Sequence, residues 1–171
     1  MKTRWLTCLV MTALIPLGGA SIVRSDGFRH NRLSARLKGA NEAPAISTVA
    51  AGDLRATISD DESEISFRLR YAGLEGDVTA AHIHLGQPNV PGGVIAHLCG
   101  GGSKPACPAA PADITGTIVA ADVTGPTGQG IAAGELAEAI RALRRGLVYA
   151  NVHSSKFPSG EIRGQVGGFD D

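Results

Sequence analysis

The chain has 171 residues, with 16 Lys and Arg against 16 Asp and Glu, so its formal charge is zero. That balance argues against a nucleic-acid binder working through a basic surface, because neutralising phosphates needs surplus cations. Apolar residues at 43% exclude a disordered chain, and 4% aromatics with 23 Gly and 9 Pro favour many short elements over a bundle of long helices.

Residues 1–20 read as an export signal. Lys2 and Arg4 give the positive start, Leu6 to Leu17 a short apolar run, and Gly18, Gly19 and Ala20 the small residues that suit cleavage. Pro16 breaks the run, which is short for a bilayer span; an uncleaved anchor is the alternative. Cleavage would leave no stable membrane span and place the protein outside the cell or in a periplasm. It would also remove Lys2, Arg4 and Cys8. The remainder carries 14 basic residues against 16 acidic ones, a charge of −2, and two cysteines, Cys99 and Cys107. In an oxidising compartment the pair is expected as a disulfide closing a local Gly-rich loop. A two-thiolate metal site is the alternative, although the CxxC spacing of zinc knuckles is missing.

Residues 21–31 form a polar, flexible lead-in without periodicity, and a single domain is expected over 32–168. Leu33, Ala35 and Leu37 alternate with polar neighbours, as do Leu54, Ala56 and Ile58, then Ile65, Phe67 and Leu69. Val78–Leu85, Val94–Leu98, Ile114–Ala120, Leu147–His153 and Glu161–Val166 complete about eight short strands separated by turn signals. The reading is an all-β, antiparallel sandwich or barrel. One segment, near 134–145, has helical period instead. Leu136, Ala139, Ile140 and Leu143 form an apolar stripe, with Glu135 and Glu138 early, Arg141, Arg144 and Arg145 late, and Gly146 as the stop.

His82 and His84 lie two apart on one strand and therefore share a face, half of a metal site. Tyr149, Asn151 and His153 share a face of a second strand; Glu161, Arg163 and Gln165 share one of a third. If the three rows are neighbours they form one polar patch, and the ring nitrogens of His82, His84 and His153 should converge within about 3–4 Å, as ligands of a common ion must. The competing reading is a solvated sheet face with a Glu161–Arg163 ion pair. His97 lacks a comparable partner in sequence and reads as a surface histidine; His30 reads as solvated. No G-x-S-x-G elbow, P-loop or dinucleotide fingerprint occurs.

Four stretches resemble the CHRD domain, the module named after chordin: Leu37–Pro44, Ala80–Gly86, Tyr149–Ser154 and Pro158–Gln165. The resemblance runs from about Leu33 to Val166. It implies an all-β, immunoglobulin-like sandwich, distantly similar to copper/zinc superoxide dismutase, which also carries a His-x-His on a strand. His82, His84 and His153 would then be the ligands of a mononuclear copper or zinc site. A bridging histidine and a His-rich zinc loop are missing, so dismutation is not implied. Arg163 would attract small anions, and Glu161 would orient a ligand imidazole. The functional expectation is an exported, non-enzymatic module for an extracellular or periplasmic protein or surface, with a three-histidine metal protein, redox-related in one form, as the alternative.

Overall fold

A computed structural model describes residues 31–168. The expected export signal, Cys8, His30 and all of the expected lead-in except Asn31 lie outside the described residues. Alternation of apolar and polar side chains produces eight strands: β1 (Arg32–Lys38), β2 (Ala51–Ile58), β3 (Glu64–Ala72), β4 (Val78–Leu85), β5 (Gly93–Cys99), β6 (Ala112–Val119), β7 (Val148–Ser154) and β8 (Ile162–Gly168). The stripe at Leu136 forms α1 (Leu136–Arg144), which ends one residue before Arg145 and two before Gly146, a glycine with φ of +67°.

All pairings are antiparallel, and the strands form one sheet in the order β5-β4-β7-β8-β1-β2-β3-β6. The two edge strands approach each other, so the sheet is nearly closed and its halves face one another across a shared core. Leu33, Leu37, Leu54, Ile58, Ile65 and Leu69 line the core from one side; Ala81, Ile95, Val148, Val152 and Ile162 line it from the other. Ala139, Ile140 and Leu143 of α1 join the same cluster. Burying such aliphatic side chains contributes roughly 1.5–3 kcal/mol each, which makes up for the scarcity of aromatics.

Cys99 and Cys107 are bonded to each other, which removes the two-thiolate alternative. The bridge starts at the end of β5 and holds the loop that leads toward β6. Among the described residues no helix is long and apolar enough to cross a membrane.

Candidate metal centre

β4, β7 and β8 are consecutive neighbours, so the three polar rows do lie side by side. His82 stands opposite Asn151, His84 opposite Tyr149, and Asn151 opposite Arg163. The face they share is not solvated. His84, Tyr149, Asn151, His153 and Arg163 are all buried, because the chain folds back over them in the turns after β1, β4 and β7.

One ring nitrogen from each of His82, His84 and His153 can be chosen so that all three lie within 4.8 Å of one another. The tightest pair is His82 Nδ1 and His153 Nε2, at 3.0 Å. The set as a whole is therefore somewhat wider than the 3–4 Å expected from an ion-centred arrangement.

Hydrogen bonds fix the tautomers of two imidazoles. His84 Nδ1 lies 2.9 Å from the Gly92 carbonyl, and His153 Nδ1 lies 2.9 Å from the Pro158 carbonyl. A carbonyl oxygen only accepts, so each Nδ1 carries the proton and each neutral ring turns a bare lone pair inward at Nε2. His84 Nε2 is buried with no hydrogen-bond partner among the described residues. His153 Nε2 faces His82 Nδ1 and, also at 3.0 Å, the Asn151 Oδ1 acceptor. At most one proton, on His82 Nδ1, serves these converging lone pairs.

Burial keeps the rings neutral. It pushes His82 down to about 3, with the neighbouring His153, His97 and His84 adding to the effect. Burial likewise pushes His84 down to about 4, opposed by the Gly92 carbonyl. His153 moves in the same direction, again chiefly through burial. Neutral imidazoles with oriented outer hydrogen bonds are the form that binds copper or zinc.

A stacked column supports His84. The Tyr149 ring lies parallel to it, with centroids 4.8 Å apart, and the Arg163 guanidinium lies 3.4 Å from the Tyr149 centroid. Gly92 ties this column to the β4–β5 turn: its N–H donates to the Tyr149 hydroxyl, and its carbonyl accepts from His84 Nδ1–H. A Cβ at Gly92 would lie 1.6 Å from the Leu85 carbonyl oxygen, so only glycine fits there.

Three expectations change. Arg163 is not an anion anchor: its Nη2 donates to the Gln87 and Val90 carbonyls, both at 2.9 Å, and the side chain is enclosed. Glu161 does not orient an imidazole. Its carboxylate accepts from Thr48 Oγ1, the Glu75 N–H and Ser154 Oγ, on the side away from the histidines. Pairing of β8 with β7 stops at Val152 and Ile162, so Glu161 escapes strand alternation. His97 is not a lone surface residue either. It stands opposite His82 in the β4–β5 ladder, the two ring centroids 4.5 Å apart, and its Nδ1 is buried without a partner against Gly101.

One buried group escaped the sequence reading altogether. Glu42 follows the short turn Gly39–Asn41, inside the first of the four motif stretches, and its Oε1 has no hydrogen-bond partner. Burial raises this carboxyl to about 7, against the pull of Arg163. Its only sequence signal was a charge within that stretch.

Three glycines of these motifs, Gly39, Gly160 and Gly164, mark close approaches. A Cβ on Gly39 or Gly164 would lie 2.4 Å from a backbone oxygen of a neighbouring segment. At Gly160, φ is +129° and a Cβ would meet both Glu42 and Asn151. No curated protein and no solved structure matches the chain. The model of the CHRD domain matches residues 33–166, the site and nearly all of the sheet, and the chain belongs to the CHRD domain family.

Proposed function

We propose that this CHRD domain is an exported, non-enzymatic module that holds a single copper or zinc ion on His82, His84 and His153. The observation that carries the reading is the buried, unpartnered lone pair of His84 Nε2, in a group where His153 Nε2 also turns inward. Leaving such an acceptor unmet costs about 1–3 kcal/mol, and a cation removes that cost for several acceptors at once. The enclosure of His84 and His153 suits retention of an ion rather than turnover of a substrate. The export signal expected from the sequence of residues 1–20, together with the Cys99–Cys107 bridge, supports an oxidising compartment, where the module would meet an extracellular or periplasmic protein or surface.

Metal analysis of the purified mature protein tests this, followed by the same analysis of His82→Ala/His84→Ala. The expected result is stoichiometric copper or zinc in the parent and its loss in the double variant. Metal content unchanged by the two substitutions would remove the site.

A further inference from the structure

Asn151 sits between the imidazoles and Glu42, and its two amide ends face different chemistry. Its Oδ1 lies 3.0 Å from His153 Nε2, and the side chain also lies against His84. His153 Nε2 is an acceptor, because its Nδ1 proton is committed to the Pro158 carbonyl. An amide oxygen facing an acceptor at hydrogen-bond distance makes no hydrogen bond and is repulsive unless something positive lies between.

Turning the amide over would relieve that clash but would set its oxygen, in place of its N–H, on the side of the Glu42 carboxylate. A Cβ built on Gly160 would lie 2.5 Å from Glu42 Oε1 and 2.8 Å from Asn151 Nδ2, so the carboxylate oxygen and the amide nitrogen flank the same point. Glu42 Oε1 has no hydrogen-bond partner among the described residues, the Asn151 amide included. As it stands, the N–H end lies on the Glu42 side, where the carboxylate favours it, and the oxygen lies on the imidazole side. Only glycine at 160 leaves room for both groups.

We infer that Asn151 is a fourth ligand of the centre, its Oδ1 completing a set of three nitrogens and one oxygen that closes the site around a divalent ion of the zinc class. This rests on the three-histidine reading above. Its chemistry differs from a bare three-histidine site in two ways. The amide oxygen is a harder donor than a further imidazole or a thiolate, which disfavours monovalent copper. A fourth protein ligand also leaves no open position, the mark of a structural rather than a catalytic centre. The Glu42 carboxylate stands beside the Nδ2 end without hydrogen-bonding it and favours the ligating orientation electrostatically.

The test uses the mature protein loaded with Co(II), whose visible spectrum reports the ligand set, and then titrated with azide. The expected parent spectrum is that of four-coordinate cobalt and does not respond to azide. Asn151→Ala should bind Co(II) about 10–100-fold more weakly and acquire an azide-dependent band at the vacated position. Asn151→Asp, which retains an oxygen donor, should bind and stay silent to azide. A parent spectrum that shifts with azide overturns the inference, whether or not Asn151→Ala folds; so does an Asn151→Ala protein as tight and as silent as the parent. A parent that takes up no metal at all would instead remove the three-histidine reading beneath it.

Discussion

The imidazoles of the centre are held neutral by burial, and this has a direct consequence for stability. In the folded protein His82 and His84 protonate near 3 and 4, whereas in the unfolded chain both protonate near the ordinary 6.5. Below pH 6.5 the unfolded state therefore binds more protons, and the contribution of these groups fades as pH falls through 4. Glu42 works in the opposite sense. Its raised value means that its contribution is complete below the usual carboxylate range and fades as pH rises through 7. Two histidines against one carboxyl leave a net loss. Metal-free protein is expected to lose on the order of 2–4 kcal/mol between pH 6.5 and pH 4, measured by urea unfolding across that range. Stability that stayed level or rose on acidification would contradict the assignment.

Residue-scale legibility followed from parity and stopped where parity stopped. His82, His84, Asn151 and His153 were readable because alternate positions on a strand share a face. His97 needed the register of β4 against β5, in which it faces His82, and no local pattern encodes that register. Glu42 reaches the site from a turn more than a hundred residues away in sequence from Asn151, and only the folded chain brings the two together.

At the scale of elements, β7 is buried from Val148 to Ser154 on both faces, one packed on the core and the other roofed by turns. Glu161 secures that roof. Its carboxylate, fully buried, gathers Thr48 from the connection before β2, the Glu75 N–H from the connection before β4, and Ser154 at the end of β7. Glu161→Gln replaces one acceptor by a donor facing groups that already donate. The expected cost is on the order of 2–4 kcal/mol, read as a lowered urea midpoint, and a change below about 0.5 kcal/mol would show that the three connections do not depend on it. The strands themselves were legible nearly to their ends, because each had one apolar row to bury. Glu161 was the misplaced residue: the turn at Gly160, with its positive φ, carries it out of the ladder before alternation can apply.

For the whole molecule, stability comes from the nearly closed sheet and its aliphatic core, and the disulfide is a local addition to it. Cys99 and Cys107 are eight residues apart, and the loop between them lies against His97. Closing so short a loop contributes about 2–3 kcal/mol by the chain-entropy account. Reduction is expected to lower the urea midpoint by about that free energy while the far-ultraviolet β-sheet spectrum is retained. Complete unfolding on reduction would mean that the bridge carries the domain. Eight strands were legible in the sequence; their union in one sheet with β1 at its interior was not, since order within a sheet depends on contacts between distant segments.

That interior position of β1 has a mechanical corollary. The first and last strands are neighbours, with Leu33 opposite Gly168, so the chain enters and leaves the domain at one place. Force applied between the two ends pulls across the β1–β8 ladder at its open end and parts its hydrogen bonds one after another, as a zipper opens, rather than shearing them together. The same adjacency lets the domain be spliced into a loop of another protein without stretching its host. A unit that is easily inserted and yields first under tension acts as an extensible link in any longer chain that contains it.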